Sequence, residues 1–131
     1  MIQEFLNKVT AWAQAESDVW ALIVVGSCAR GTNRQDSDID LMVLGPNQMG
    51  YVNLHDFIHT LGRVTSASHE DWSACQSIRV YYADGPEVEY GFVMPSWLDL
   101  PLDPGTQGVL RDGYKFLVDK RGYAAIVEEN L

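Results

Sequence analysis

Asp38 and Asp40 lie two residues apart in a segment that alternates polar and apolar residues, and this spacing suits the binding of a cation. On a strand, side chains two residues apart share one face, and their Cα atoms are roughly 6 to 7 Å apart. Two carboxylates at that distance repel each other by roughly 3 kcal/mol at an effective dielectric constant near 20. The pair therefore favours a cation, and its oxygen donors suit Mg2+, which binds one or two carboxylates together with phosphate oxygens and water.

A candidate phosphate site lies upstream, where Gly26 and Ser27 follow a run of apolar residues. A chain that passes there from a strand into a helix directs free backbone N–H groups and the positive end of the helix dipole to one point, which suits a phosphate. Gly26 permits close approach of the backbone, and Ser27 adds a hydroxyl donor. Arg30 and Arg34 are further candidates for phosphate binding, although they could instead pair with nearby acids such as Asp36.

Two strands are predicted to position these groups. The run Val19–Val25 is short, rich in β-branched residues and closed by Gly26, which is typical of a strand buried on both faces. The alternation over Ser37–Leu44 predicts a second strand, with apolar side chains on one face and with Asp38 and Asp40 on the other. The apolar face accounts for the folding of the strand, and the acidic face is left for chemistry.

The rest of the chain predicts one α/β domain over residues 1–131, with a mixed sheet, helices packed on one face and an acidic cleft on the other. The apolar period predicts an N-terminal helix from Ile2 to Ala13 that ends near Ser17. Further elements are predicted as helices over Tyr51–Leu61 and Tyr123–Asn130 and as strands over Arg63–Ala67, Ser77–Ala83, Glu87–Val93 and Tyr114–Val118. The strands before and after Asp84-Gly85-Pro86 form a predicted hairpin, and residues 95–105 are predicted to be a loop.

The composition excludes several classes of protein. The chain has 131 residues, with 9 Lys and Arg against 18 Asp and Glu, for a net charge of -9. Hydrophobic residues make up 47% of it, which supplies a core and argues against disorder, because chains near this size bury roughly two thirds of their surface. The acidic excess argues against a basic surface for nucleic acid, so any bound anion must be held locally.

A cytoplasmic protein is the expectation from the ends and cysteines of the chain. The longest apolar run, Val19–Val25, has seven residues, against the roughly 20 that span a bilayer, so no membrane association is predicted. The N-terminus lacks a basic segment and a small-residue cleavage site, which predicts no secretory signal. Cys28 and Cys75 lack the spacing of a redox or zinc motif and are expected to be reduced thiols.

Other residues allow both a functional and a structural interpretation. His55 and His59 have the helical spacing of a metal pair, but no third ligand stands near them in the sequence, so zinc is not predicted. Four aromatic residues could line a base or acceptor pocket, namely Trp72, Tyr81, Tyr82 and Trp97. Such residues more often pack in the core or pair across strands.

The segment from Gly26 to Val43 resembles the nucleotidyltransferase superfamily of DNA polymerase beta. The shared pattern is an apolar strand, Gly-Ser, ten residues, and then Asp-x-Asp followed by an apolar residue. The segments Ala-Arg-Gly-Thr (residues 29–32) and Ser-Asp-Ile-Asp-Leu (residues 37–41) resemble its small bacterial members, the aminoglycoside nucleotidyltransferases and the minimal nucleotidyltransferase antitoxins. The order of elements through Val93 fits the palm-like core of that superfamily.

The resemblance implies nucleotidyl transfer from an NTP, with ATP as the expected donor. Asp38 and Asp40 would hold two Mg2+ ions that bridge the triphosphate, while Gly26 and Ser27 would bind its distal phosphates. The superfamily takes a third carboxylate from a later strand, most often Asp. Glu89 fits by position and would complete the metal site and help to deprotonate the acceptor hydroxyl, although Glu87 would share its face.

The acceptor stays open at this stage. Superfamily members that act on antibiotics resemble this core with an added helical C-terminal domain, whereas residues 94–131 alone follow the hairpin here. The acceptor site would then come from a second copy of the chain, a partner protein or the C-terminal segment. The leading hypothesis is a small-molecule hydroxyl of aminoglycoside type. The alternatives are a hydroxyl on a partner toxin and a non-catalytic nucleotide-binding module.

Overall fold

A computed structural model describes residues 2–32 and 38–131 and contains one six-stranded mixed sheet. The strands are β1 (Ala21–Val25), β2 (Ile39–Leu44), β3 (Val64–Trp72), β4 (Cys75–Tyr82), β5 (Glu87–Val93) and β6 (Tyr114–Asp119). Their order in the sheet is β3-β4-β5-β2-β1-β6. Strands β2 and β5 are parallel, and the other neighbours are antiparallel. The predicted mixed sheet and the hairpin of β4 and β5 are thereby confirmed.

The helices are short. They are α1 (Ile2–Ala15), α2 (Ser27–Arg30), α3 (Gln48–Asn53), α4 (Pro104–Arg111) and α5 (Tyr123–Asn130), with 3-10 turns at Asp56–Thr60 and Pro95–Leu98. Helix α1 is the longest of those described, with 14 residues. In the described part of the chain, none is both long enough and apolar enough to cross a bilayer.

Two apolar cores lie on opposite faces of the sheet. On the first face, Val9 and Ala13 of α1 pack with Val52 of α3 against the apolar side chains of β2. On the second face, Leu110 of α4 and Val127 of α5 pack against Ala21, Ile23 and Val25 of β1. The sequence predicts helices on one face, whereas the structure has them on both.

Helix α4 is the element that the apolar period does not reveal. Its sequence, Pro-Gly-Thr-Gln-Gly-Val-Leu-Arg, buries only Thr106 and Leu110, and its proline and two glycines favour a loop in a sequence-based prediction. Its start is instead set locally, since Pro104 occupies the first turn and the Asp103 side chain accepts a hydrogen bond from the Gly105 N–H.

Two other elements show the largest differences from their predicted bounds. The single helix predicted over Tyr51–Leu61 is divided, because α3 ends at Asn53 and a separate 3-10 turn begins at Asp56. The strand predicted over Arg63–Ala67 begins at Val64 and extends to Trp72. Strand β3 is a sheet edge that pairs only with β4, and its largely exposed polar residues carry no apolar alternation from which to predict it.

Candidate functional site

The strand register brings together Gly26, Asp40 and Glu89. Asp40 of β2 lies beside Glu89 in the parallel pair with β5 and opposite Val25 in the antiparallel pair with β1. Gly26 follows Val25 directly, and a Cβ atom built on it would lie 3.4 Å from Oδ2 of Asp40. The side chains of Asp40 and Glu89 therefore meet the Gly26 backbone at one end of the three central strands.

Asp38 and Glu87 form a second pair of acids next to the first. Their carboxyl groups share a hydrogen bond, which raises the pKa of Asp38 to about 6, and burial and the negative charge of Glu87 add to the increase. The same hydrogen bond lowers the pKa of Glu87. The two glutamates that share a face thus have different neighbours: Glu89 lies beside Asp40, and Glu87 contacts Asp38.

Arg79 of β4 contacts four carboxylates at this site. It lies opposite Glu89 in the antiparallel ladder, and its Nη2 atom hydrogen-bonds to that carboxylate. Its Nη1 atom is 3.5 Å from Oε2 of Glu87 and 3.7 Å from Oδ2 of Asp38, and its Nε atom donates to Oε1 of Glu70 at 3.0 Å. We call Asp38, Asp40, Glu70, Glu87, Glu89 and Arg79 the acidic cluster.

The sequence interpretation did not single out Arg79, although the predicted hairpin indicates that Arg79 pairs with Glu89. Pairing that is symmetric about Asp84 places Tyr81 opposite Glu87 and Arg79 opposite Glu89, which is the observed register. Long-range pairing between β2 and β5 has no such local signal, because the two strands are separated by more than forty residues of other structure.

Among the described residues, the Arg79 guanidinium does not offset all of the negative charge of the acidic cluster. Burial raises the pKa of Asp40, and burial likewise raises the pKa of Glu89, although the positive charge of Arg79 opposes both shifts. A raised carboxyl pKa means that the positive charge and hydrogen bonds around the carboxylate do not make up for its loss of hydration in the folded protein. The acidic cluster would therefore be stabilised by a further cation.

The donor chemistry of the cluster fits Mg2+, which prefers carboxylate oxygens. Within residues 2–32 and 38–131, however, no three His, Cys, Asp or Glu side chains converge closely enough to hold a metal ion. Arg79 supplies positive charge at this place instead. The histidine pair considered above likewise belongs to no such group in the described residues.

The Gly-Ser segment is anchored by the turn between α4 and β6. Gly26 has a φ of 74°, and its carbonyl accepts hydrogen bonds from the N–H groups of Ala29 and Arg30. Its own N–H donates to the Gly113 carbonyl at 3.1 Å. A Cβ atom on Gly113 would lie 2.7 Å from Cγ of Arg30 and 3.1 Å from the Gly26 carbonyl oxygen, so this close approach requires glycine.

Arg30 pairs with an acid in the structure. Its Nη1 atom is 2.9 Å from Oδ1 of Asp112 and also donates to the Asp112 carbonyl at 2.5 Å. Both side chains are largely exposed, so the pair contributes little to stability. A role of Arg30 in phosphate binding stays a prediction, and Arg34 and Asp36 lie outside the described residues.

A groove of about 710 Å³ adjoins the acidic cluster on the same face of the sheet. It reaches from Gly26, Asp40 and Glu89 towards Trp72 and Trp97. The remaining lining includes Met42, Cys75, Ser77, Gly91, Val109 and Asp112. Tyr82, by contrast, is buried, and its hydroxyl hydrogen-bonds to Ile58 and Tyr90. Of the four aromatic residues considered for a base or acceptor pocket, Trp72 and Trp97 therefore line this groove.

Gly91 keeps the floor of this groove open. It lies two residues after Glu89 on β5, and a Cβ atom built there would be 3.0 Å from both the Cys75 Sγ and Met42 Sδ atoms. A larger side chain would therefore project into the space beside the acids. The groove thus depends on a glycine that the sequence interpretation did not select.

Comparison with known proteins identifies the class of enzyme that the fold and site define. The family model described as a nucleotidyltransferase domain matches residues 7–79, which is more than half of the chain. The chain therefore belongs to the nucleotidyltransferase domain family, a class of enzymes. The match contains Gly26, Asp38 and Asp40 and ends before Glu89. No curated protein matches the chain.

A similar solved structure supports the fold. It is an aminoglycoside 6-adenyltransferase from Bacillus subtilis, with a TM-score of 0.55 and 8% sequence identity. The likeness covers 72% of this chain and 34% of that chain, so this chain spans about a third of the length of that enzyme. At this identity the comparison establishes a shared fold.

The shared proton of Asp38 predicts a pH dependence of stability in the metal-free protein. The pKa of Asp38 is raised from 3.8 to about 6, so the folded state binds more protons than the unfolded state over this range. The free energy of unfolding should therefore fall as the pH rises from 3.8 to about 6. Asp38→Asn should flatten this slope in urea unfolding with EDTA. Asp99→Asn, an exposed position outside the cluster, should retain it, and equal slopes in both variants would contradict the assignment.

Proposed function

We propose that this domain transfers a nucleoside monophosphate from an NTP, with ATP as the expected donor, to a hydroxyl group of a small molecule in the presence of Mg2+. The observation that carries the proposal is the strand register, in which Asp40 lies beside Glu89 and next to the Gly26 backbone. This combines two acids for a cation with a glycine-containing segment for phosphate. Membership of the nucleotidyltransferase domain family supports the reaction class.

Each group would have a distinct role. Asp38, Asp40 and Glu89 would hold two Mg2+ ions, which when bound would neutralise the triphosphate and polarise the α-phosphate. Ser27 would bind the distal phosphates through its hydroxyl and the N–H groups at the start of α2, where Gly26 permits close approach of the backbone. The N–H groups of Ala29 and Arg30 already donate to the Gly26 carbonyl.

The chemical step is an in-line displacement at the α-phosphorus atom. The acceptor oxygen forms the new bond to phosphorus, the bond to the bridging oxygen breaks, and pyrophosphate leaves. Glu89 would accept the proton of the acceptor hydroxyl.

The groove beside Glu89 supports a small-molecule acceptor bound within this domain. Among the described residues, its lining has three carboxylates, Asp40, Glu89 and Asp112, and no Lys, Arg or His. Its Trp72 and Trp97 rings offer apolar faces for a flat group or a cation. A neutral or cationic acceptor with several hydroxyl groups fits this chemistry. The similar solved structure, which is described as acting on an aminoglycoside, agrees with such an acceptor.

The test is to incubate the protein with α-labelled NTPs and Mg2+ and with either an aminoglycoside panel or a cell lysate. Label on a small molecule would support the proposal. Label on one protein band would favour the alternative of a minimal nucleotidyltransferase that modifies a partner protein. Nucleotide binding with no transfer to either acceptor would favour the non-catalytic module. Parallel reactions with each of the four NTPs would identify the donor.

Trp97→Ala is expected to raise the KM for the acceptor about tenfold, or ~1.4 kcal/mol, through loss of an aromatic contact in the groove. The KM for the NTP should change less than twofold, since the phosphate groups bind at Gly26. Steady-state kinetics with each substrate varied in turn measures the difference. Leu54→Ala, a truncation of an exposed apolar residue outside the groove, is the control. An equal rise in both KM values would show that Trp97 acts on folding instead.

A further inference from the structure

Arg79 holds the acidic cluster together through all three of its guanidinium nitrogens. Nη2 binds Glu89, Nη1 lies near Asp38 and Glu87, and Nε donates to Glu70. A planar guanidinium presents its donors in a fixed fork, so it contacts several carboxylates at once in a way that a lysine ammonium does not. These contacts span β3, β4, β5 and the residue that precedes β2.

We propose that Arg79 is a positioning residue that supplies the positive charge of the cluster in the metal-free protein and is released from Asp38 and Glu89 when a divalent cation binds. This inference rests on the proposed function, because it takes Asp38, Asp40 and Glu89 as the metal ligands. In the metal-free protein Asp38 and Glu89 pair with the guanidinium, and on cation binding their carboxylate oxygens bind the divalent cation instead.

The release of Arg79 follows because the guanidinium and the divalent cation are both positive and need the same carboxylate oxygens. Nη2 of Arg79 occupies Oε2 of Glu89, and Nη1 is 3.7 Å from Oδ2 of Asp38. A metal bound by these carboxylates needs the same oxygens, and a guanidinium left in place would repel it. Arg79 therefore competes with the divalent cation and lowers its affinity in the unmodified protein.

Glu70 can keep its ion pair with Arg79 after the other contacts of the guanidinium are released. It lies on β3, opposite Ser77 of β4, and accepts a hydrogen bond from Nε at 3.0 Å. It does not line the groove or neighbour Asp40 in the sheet, so it is outside the expected ligand set. Arg79 can therefore keep its contact with Glu70 through Nε while its two Nη groups leave Asp38 and Glu89.

The first experiment measures Mn2+ binding by calorimetry with no nucleotide or acceptor present. Arg79→Gln is expected to bind Mn2+ about tenfold more tightly than the unmodified protein. Arg79→Lys, which keeps the charge but loses the fork, should bind about threefold more tightly. Arg63→Gln makes the same charge change at an exposed position outside the cluster and should alter binding less than twofold. Equal or weaker binding by the Arg79 variants, relative to Arg63→Gln, would overturn the proposal.

The second experiment uses the unmodified protein and so does not depend on the folding of a variant. Nitrogen-15 NMR of the Arg79 guanidinium should show separate, hydrogen-bonded Nη signals without metal. Saturating Mg2+ should collapse them into one averaged signal while the Nε–H signal persists. Unchanged Nη signals at saturation, or no Mg2+ binding, would overturn the proposal. Arg79 release without nucleotide transfer would contradict the proposed function alone, and transfer without release would contradict this inference alone.

Discussion

Asp40→Asn is expected to lower kcat for nucleotidyl transfer by about a thousandfold, which corresponds to ~4 kcal/mol of transition-state stabilisation. Asp40 lies between β1 and β5, next to Gly26 and beside Glu89. An asparagine has nearly the same shape but lacks the negative charge that a metal ligand supplies.

The same substitution should leave the fold intact. Burial raises the pKa of Asp40, so its charged form is disfavoured in the folded state. Removal of that charge should therefore leave the melting temperature in EDTA unchanged or higher. Thermal unfolding and initial rates with labelled NTP measure the two effects together. Asp99→Asn is the matched control, and Asp40→Asn that keeps its rate within tenfold of that control would contradict the assignment.

Glu89→Gln and Glu87→Gln should differ strongly, although the two residues share one face of β5. Glu89→Gln is expected to reduce kcat about a hundredfold, or ~3 kcal/mol, by loss of a metal ligand and proton acceptor. Glu87→Gln should reduce it less than fivefold, because Glu87 contacts Asp38 and does not neighbour Asp40.

A pH–rate profile separates the loss of a base at Glu89 from the loss of one negative charge at the site. If Glu89 is the base, Glu89→Gln should lose the acidic limb of the profile of kcat/KM, and Glu87→Gln should retain it. Both variants remove one negative charge from the same face of β5, so each is the control for the other. A greater loss in Glu87→Gln than in Glu89→Gln would assign the third carboxylate to Glu87.

Several elements of the fold follow from local pattern. Strand β5 and helix α5 have the predicted bounds, Glu87–Val93 and Tyr123–Asn130. Strand β2 buries its odd-numbered apolar residues and presents Asp40 on the other face, as the alternation predicts. The two strands were predictable because each carries apolar residues at every second position, the period of a strand.

Other elements have no such period. Strand β3 is a polar edge strand, so its extension to Trp72 depends on backbone pairing with β4. Helix α4 depends on its Asp103 cap and on packing of Leu110 against the second core. In both cases the structure is stabilised by contacts with distant residues or by the backbone, and neither appears as a run of apolar side chains.

The sequence by itself determined the candidate groups of the site: an Asp-x-Asp pair at the start of a strand, a Gly-Ser segment before it, and acidic residues on the strand after a turn. Tertiary structure alone decided how these groups are arranged. The β2–β5 register placed Glu89 instead of Glu87 beside Asp40, and folding brought Arg79 into contact with four carboxylates. The physical reason is that side-chain type and local spacing can be read directly from the sequence. The register between distant strands and the groove beside them depend on packing of the whole domain.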